Sequence, residues 1–331
     1  MDALRFDLPL PDLSAWRAGN TGTEGVWQFD SGRPGRHVMI SALVHGNEIC
    51  GAWAVSGLLQ ALHNGLALDN GRLTLVLANL DAFDRFDAAS HDASRFVDED
   101  MNRQWIDARI DEGSTRERRR AAALRPFVQQ ADWLLDLHSM HEPSAPLLLT
   151  GMQPRNRDLA RQMGAPANIV VDAGHKDGTR LRDYGRFGLP DAEAGDSRSL
   201  LIECGFHGDL ASRDVAHDQC LRFLEVAATF DNGALHAALP GYAIEALREA
   251  LPVFGRKIKG FDMHDAVLTG VETRTSSPLK IGRGENLQSL NTPGLYPAGE
   301  GASYAGGILS AGVDGIKVGE AVARSLLGIA A

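Results

Sequence analysis

The chain has 331 residues, 44% hydrophobic and 23% charged, which is enough for one large core or two unequal domains. Its 33 basic and 43 acidic residues give a formal charge of −10, which argues against nucleic acid as a partner. No run of about 18 apolar residues indicates a membrane span, no signal peptide begins the chain, and three cysteines (Cys50, Cys204 and Cys220) predict reduced thiols in the cytoplasm.

The first 230 or so residues alternate short β-rich runs with segments of helical periodicity, so an α/β fold with a mostly parallel or mixed sheet is expected. Strands are predicted at 26–30, 37–44, 73–79, 132–137, 168–172 and 199–203. Helices are predicted at 48–63, 115–130, 155–163 and 213–229, and residues 79–94 are predicted to form a loop. In the second helix, the arginines 116, 118, 119 and 120 beside Glu117 predict a solvated face.

Polar residues follow three of the predicted strands. The strand at 37–44 leads into His45-Gly46-Asn47-Glu48, the strand at 132–137 leads into His138, and the run Leu200-Leu201-Ile202 leads into Glu203. Open α/β sheets place their sites at the carboxyl ends of strands. The sequence therefore predicts that these side chains meet at one edge of the sheet.

Two histidines and one carboxylate form a ligand set for catalytic zinc, whose fourth ligand is a water molecule with a pKa lowered toward about 7. A carboxylate outside the ligand set then supplies the base. Each residue taken alone has a simpler explanation as a packed or surface side chain, and it is their combination that favours a site. Asp136 lies two residues before His138 on the same face of the strand, where it either orients the histidine or forms an ordinary buried hydrogen bond.

Five short motifs in this order and spacing resemble the succinylglutamate desuccinylase/aspartoacylase family of zinc-carboxypeptidase-like hydrolases. The motifs, within residues 37–210, are His45-Gly46-Asn47-Glu48, Arg95, Asp100-Met101-Asn102-Arg103, Asp136-Leu137-His138 and Glu203-Cys204-Gly205. The resemblance implies a Zn²⁺ ion held by His45, Glu48 and His138, with Glu203 as general base and then general acid.

The resemblance also implies that Asn102 and Arg103, with Arg95, bind the carboxylate of a small substrate and help to polarise the scissile carbonyl. Guanidinium groups recognise carboxylates through two parallel hydrogen bonds. The alternative for Arg103 is a surface ion pair with Asp98 or Asp100, and the resemblance favours substrate binding. Family members that cleave N-acyl amino acids usually have another arginine ahead of the catalytic glutamate, and four residues compete for that role: Arg180, Arg182, Arg186 and Arg198.

The chain departs from this family after about residue 232, where a domain boundary is predicted between a hydrolase domain at 1–232 and a glycine-rich segment at 233–331. Residues 270–278, 294–301, 304–308 and 314–317 resemble the C-terminal end of bacterial FAD-dependent dehydrogenases. The G-x-G-x-x-G fingerprint of a dinucleotide-binding half occurs nowhere in the sequence. A natural fusion, a misjoined reading frame and a variant tail all remain open.

The sequence thus predicts a zinc-dependent hydrolase that cleaves an amide or ester bond of a small carboxylate-bearing substrate, such as an N-acyl amino acid. Two alternatives remain: a flavin-dependent oxidoreductase, or a fragment of one, carried by the C-terminal segment, and a non-catalytic module. The acyl group, the amino acid and the oligomeric state are left open.

Overall fold

The computed structural model describes residues 5–230, 280–305 and 308–328. These residues fall into two compact units, one within 1–262 and the other within 263–331. The predicted boundary near residue 232 and the motif at 270–278 lie outside the described residues, so both stay predictions. Within the described part of the chain, no helix has the length and apolar character needed to cross a membrane.

The first unit is built on a seven-stranded mixed sheet with the order β1-β3-β2-β4-β7-β5-β6. Its strands are β1 (Val26–Asp30), β2 (His37–Ala42), β3 (Arg72–Leu77), β4 (Trp133–Met140), β5 (Leu147–Leu149), β6 (Asn168–Val170) and β7 (Arg198–Phe206). The central pairs β3-β2, β2-β4 and β4-β7 are parallel, whereas β1-β3 and β5-β7 are antiparallel. This confirms the predicted α/β fold with a mixed sheet.

Helices cover both faces of the sheet. They are α1 (Ile49–His63), α2 (Leu80–Phe83), α3 (Asp107–Glu112), α4 (Arg116–Gln130), α5 (Pro154–Met163), α6 (Asp191–Ala194) and α7 (Leu210–Val226). Alternate residues of each strand point to opposite faces, so Leu135 and Leu137 of β4 pack in the core with α1, α5 and α7. Leu134 belongs to the opposite core, together with Leu124 and Val128 of α4.

Each predicted strand is present, but β4 and β7 are longer than predicted. His138 and Glu203 therefore lie inside paired strands, where they are direct neighbours in the parallel register, and not beyond the strand ends. The short strand β5 was missed because Leu147–Leu149 is a run of only three residues. The predicted loop at 79–94 contains α2 and a 3₁₀ segment at Ala88–Ser94.

The prediction of a solvated arginine-rich face on α4 is wrong for two residues. Glu117 is fully buried, and its carboxylate accepts hydrogen bonds from the backbone N–H groups of residues 97, 98 and 99. Arg120 donates to the backbone carbonyls of Leu77 and Ala78 at the end of β3, and burial lowers its pKa to about 10. Both side chains form hydrogen bonds with backbone groups of segments that are distant in sequence. Helical periodicity does not reveal such contacts.

The second unit contains helix α8 (Ile308–Leu327) and the loops that precede it. Asp314 of α8 accepts a 2.5 Å hydrogen bond from Arg283 and a 2.8 Å hydrogen bond from the backbone N–H of Gly299. The Arg283 guanidinium also stacks 3.6 Å from the centre of the Tyr304 ring. Hydrogen bonds from Arg283 and Gly299 to Asp314 thus attach the preceding loops to α8.

Candidate active site

The turn His45-Gly46-Asn47-Glu48 connects β2 to α1 and places its two ionisable side chains together. A backbone hydrogen bond of 3.2 Å from the Glu48 N–H to the His45 carbonyl closes the turn. His45 Nδ1 then lies 2.8 Å from Glu48 Oε1. Gly46 is required here, since an added Cβ would lie 2.4 to 2.5 Å from backbone atoms of Ala82, Phe83 and Ser94. Backbone atoms of neighbouring segments therefore pack directly against the turn, which is also closed by its own hydrogen bond.

His138 completes a group of three buried side chains. It lies on β4, next to β2 in the sheet, and its Nδ1 atom is 2.7 Å from Glu48 Oε2. One ligand atom from each of His45, Glu48 and His138 lies within 4.8 Å of the other two. The structure thus brings together the three residues that the sequence predicted as metal ligands.

The Nε2 atoms of His45 and His138, which do not face Glu48, each contact a carboxylate. Asp136 Oδ2 lies 2.8 Å from His138 Nε2, which is the orienting contact that the strand periodicity suggested. Asp100 Oδ1 lies 2.9 Å from His45 Nε2, a role that sequence reasoning missed. Metal-binding histidines almost always donate their second N–H group in this way, and the contact fixes which nitrogen faces the metal. Here both Nδ1 atoms face Glu48.

The donor set fits a divalent metal. Glu48 Oε2 is buried and makes no hydrogen bond within the described structure, although His138 Nδ1 is only 2.7 Å away. Two imidazole nitrogens and a carboxylate oxygen directed at one space match the ligand chemistry of catalytic zinc. A cation bound by these atoms would coordinate this carboxylate oxygen, which is buried and makes no hydrogen bond within the described structure.

The electrostatics of the group depend on burial and mutual attraction. Burial by itself raises the pKa of Glu48, but His45 and His138 outweigh it and hold the pKa well below its usual range. Burial lowers the pKa of His138, but Asp136 and Glu48 outweigh it and raise the pKa well above the usual value. The protein surrounds the histidines with negative charge, which favours a bound cation.

Glu203 stands beside this group on β7, directly across from His138 in the register. Burial, followed by the negative charge of Glu48, raises its pKa to about 8. Its Oε2 atom is buried and has no hydrogen-bond partner among the described residues. A carboxyl group with a raised pKa and an uncommitted oxygen has the properties of a general acid or base.

The predicted substrate-binding residues lie on the loop after α2. Arg95 approaches Glu48 at 3.7 Å and Asp100 at 3.3 Å, and Arg103 approaches Asp100 at 3.9 Å and Asp177 at 3.5 Å. Arg95 thus donates one hydrogen bond to Asp100, and Arg103 Nη1 donates a 3.0 Å hydrogen bond to the Asn102 carbonyl. Within the described structure, neither guanidinium group forms two parallel hydrogen bonds with a carboxylate. Arg103 thus contacts Asp100, as the ion-pair alternative predicted, and its role in substrate binding stays a prediction.

Asn102 has a different position from the two arginines. It is buried, and its Oδ1 atom accepts a 2.9 Å hydrogen bond from the backbone N–H of Leu181. This bond joins the loop of Arg103 to the segment that contains Arg180 and Arg182. The contact assigns a positioning function to the Asn102 carbonyl oxygen and leaves its amide nitrogen available.

The four candidate arginines ahead of Glu203 separate into two pairs. Arg186 donates to the Ala131 carbonyl just before β4, and Arg198 begins β7 opposite Trp133, so both lie at the end of the sheet away from His138. Arg180 and Arg182 flank the Leu181 anchor near Asn102. Arg180 is neutralised by Asp172 and Asp183 at 2.7 Å each. Nη2 of the fully buried Arg182 pairs with Asp183 at 2.9 Å, whereas its Nε and Nη1 have no partner among the described residues.

A family model matches the part of the chain that contains most of these residues. Residues 34–190 match the succinylglutamate desuccinylase/aspartoacylase catalytic domain, and this range includes the three proposed metal ligands and the loop of Arg95 and Arg103. This part of the chain is therefore similar to the succinylglutamate desuccinylase/aspartoacylase family. A succinylglutamate desuccinylase from Paraburkholderia xenovorans is 32% identical over 120 residues, which are 33% of this chain and 33% of that protein.

A second family model, described as a FAD-dependent protein C-terminal domain, matches residues 208–275. It confirms a resemblance to FAD-dependent proteins for these residues, whereas the motifs at 294–301, 304–308 and 314–317 lie outside the match. An uncharacterised protein from Clostridium beijerinckii is 54% identical over 93 residues, which are 28% of this chain and 17% of that protein. The chain therefore spans a third or less of the length of these curated relatives.

Solved structures of similar proteins include the succinylglutamate desuccinylase from Chromobacterium violaceum, with 23% identity and a TM-score of 0.46 over 61% of this chain and 67% of that one. Another is the ectoine utilization protein EutE (DoeB) from Ruegeria pomeroyi, with 18% identity and a TM-score of 0.44 over 59% of this chain and 58% of that one.

Proposed function

We propose that this protein is a zinc-dependent hydrolase that cleaves an amide or ester bond in a small carboxylate-bearing substrate. The observation that carries the proposal is the geometry of His45, Glu48 and His138. Their ligand atoms lie together in the protein interior. Asp100 and Asp136 contact the Nε2 atoms of the two histidines and so orient the rings. Bound zinc would supply a Lewis acid for the scissile carbonyl and would lower the pKa of a water molecule.

Glu203 is the proposed proton carrier. Its position across from His138 puts its free oxygen beside the ligand group without making it a fourth protein ligand. Glu203 accepts a proton from the attacking water and returns it to the leaving group. The cation would stabilise the charged carboxylate and so bring its pKa down from about 8 toward the working pH.

Arg95 and Arg103 are the proposed substrate contacts. Both carry positive charge next to the ligand group, and the contacts of Arg103 with carboxylates are 3.5 Å or longer, so a substrate carboxylate can compete for its hydrogen bonds. Asn102 keeps the Arg103 loop against residue 181 and presents its amide nitrogen. Arg182 has two donors without a hydrogen-bond partner among the described residues, but it is fully buried and its Nη2 atom pairs with Asp183, so it is not assigned a substrate contact.

The test is hydrolysis by the full chain of a panel of N-acyl amino acids, with and without a chelator. N-succinyl and N-acetyl derivatives of acidic and neutral amino acids separate the acyl group from the amino acid. We expect turnover of at least one compound, loss of turnover on chelation and recovery on addition of Zn²⁺. Turnover that is indifferent to chelation would contradict the proposed metal chemistry.

The match of residues 208–275 to a FAD-dependent protein favours a second candidate function, a flavin-dependent oxidoreductase or a fragment of one. Purified protein with flavin absorbance near equimolar amounts would support it. Stoichiometric zinc together with an absence of flavin would remove it. We propose the hydrolase first because its three candidate metal ligands lie together, with Glu203 on the neighbouring strand.

A further inference from the structure

A second group of potential metal ligands lies close to the first. It consists of His91 and Asp92 from the 3₁₀ segment Ala88–Ser94 and His207 from the residue after β7. One ligand atom of each residue lies within 4.8 Å of the other two. The group shares no residue with the His45, Glu48 and His138 group, and none of the motifs found in the sequence included it.

His207 has the features of a ligand without its metal. The residue is only 1% exposed, and its Nδ1 atom is 2.8 Å from the hydroxyl oxygen of Ser139. Its Nε2 atom is buried and has no hydrogen-bond partner among the described residues. A buried polar atom without a partner costs free energy. The Ser139 contact fixes the ring so that Nε2 points away from Ser139, as expected of a metal-binding histidine.

His91 provides a second such nitrogen. Its Nδ1 atom is buried and unbonded within the described structure, although it lies 3.3 Å from Asp92 Oδ1. The His91 ring packs against Phe6 and Phe206, with ring centres 5.4 and 6.4 Å away. These aromatic rings shield the nitrogen atoms from water and raise the gain from binding a cation.

Asp92 supplies negative charge at a position that is open to solvent. Its side chain is 76% exposed, while the two histidines are largely covered. Tetrahedral zinc bonds of about 2.1 Å require ligand atoms about 3.4 Å apart. Because Asp92 is exposed, its carboxylate can adjust to that spacing without disturbing the core.

We propose that His91, Asp92 and His207 form a second binding site for a divalent transition-metal ion of the zinc class. Two imidazoles and one carboxylate suit zinc and neighbouring metals and disfavour calcium and magnesium, which prefer oxygen ligands. The bound ion joins the segment 88–94 to the end of β7. Arg95 follows directly, and its carbonyl accepts a hydrogen bond from Gly46 of the first group's turn. The site does not depend on the proposed hydrolase activity.

The experiment counts zinc on the metal-stripped full chain by titration calorimetry, with elemental analysis after gel filtration. His207→Gln and Asp92→Asn are compared with the wild type and with His141→Gln, a control at a histidine whose side chain is 74% exposed. We expect His207→Gln to bind one zinc fewer per chain than the wild type. We expect Asp92→Asn to weaken one zinc-binding event at least about tenfold. Loss of a residue that only contacts a metal ligand already lowers metal affinity about tenfold or more, and loss of a ligand should cost at least as much.

The comparison remains informative if His207→Gln folds poorly, because the exposed Asp92 can be changed without opening the core. Magnesium in place of zinc should give no binding event at this site. Wild-type zinc affinity in Asp92→Asn, or an unchanged zinc count in folded His207→Gln, would overturn the second site. Because both results are differences from the wild type, they stand whether or not the first group binds metal and whether or not any substrate is hydrolysed.

Discussion

The two sides of the candidate active site differ in how the chain holds them. His45, Glu48, His138 and Glu203 lie on or directly after central strands, and three of them are at most 3% exposed. Arg95 and Arg103 lie on a loop, with side chains 35% and 18% exposed. A catalytic metal needs fixed ligands, whereas a substrate contact needs access to solvent and room to adjust. In the proposed hydrolase, the strand side therefore holds the metal and the base, and the loop side contacts the substrate.

The largest expected effect comes from removing a ligand on the strand side. His45→Ala, Glu48→Ala and His138→Ala should each lose bound zinc and reduce turnover to background, because two protein ligands hold the ion poorly. Elemental analysis and turnover on the same preparation check this. A variant that keeps full zinc content would exclude the altered residue from the ligand set.

Glu203→Gln should have the next largest effect and should separate the base from the ligands. Glutamine keeps the shape of the side chain but cannot carry the proton, so we expect turnover to fall roughly 10²–10⁴-fold with zinc content unchanged. The Michaelis constant should change much less. Loss of zinc would instead make Glu203 a ligand, and near-normal turnover with zinc in place would refute the proposed mechanism.

On the loop side, Arg103→Lys should raise the Michaelis constant about tenfold or more while zinc content stays the same. An ammonium group cannot reproduce the planar two-point contact with a carboxylate, and a hydrogen bond to a charged group contributes about 1.5–3 kcal/mol. Arg186→Lys is the matched control, since Arg186 contacts the chain before β4, away from the ligands. Equal Michaelis constants in wild type and Arg103→Lys would return Arg103 to a purely ion-pairing role.

The smallest effects should come from the carboxylates behind the histidines. Asp136→Asn and Asp100→Asn should each weaken zinc binding about 10–100-fold, because the histidine rings lose a charged partner. Asp136 is fully buried and Asp100 is 20% exposed, so the larger loss is expected for Asp136→Asn. Asp84→Asn, at an exposed ion pair with Arg17, is the control. Zinc titration of the three variants decides the order, and no change in either test variant would remove the orienting role.

Sequence reasoning predicted the strand side well because its signals are local. Apolar runs that end in His45 and His138 and contain Glu203 mark both a strand and a polar position at its end. The missing part was register: the sequence does not reveal that His138 and Glu203 are paired neighbours, since this depends on how two distant strands align. Asp136 was accessible to the same reasoning, because residues two apart share a face of a strand.

The loop side was less predictable because its supports come from distant parts of the chain. Glu117 on α4 fixes the backbone at 97–99, just before Asp100. The sequence pattern placed Glu117 on a solvated face, since a charged residue among arginines gives no sign of burial. Asp100 was visible only as a possible ion-pair partner, and its contact with His45 crosses 55 positions of sequence.

We propose that one metal ion lies between His45, Glu48 and His138. Anomalous diffraction at the zinc absorption edge, measured on zinc-loaded crystals of the full chain, tests this position directly. We expect a peak about 2.0–2.2 Å from Nδ1 of His45, a carboxylate oxygen of Glu48 and Nδ1 of His138. Glu203 should lie outside the ligand set. Absence of a peak at this position in zinc-loaded crystals, or a peak that one of the three residues does not contact, would contradict it.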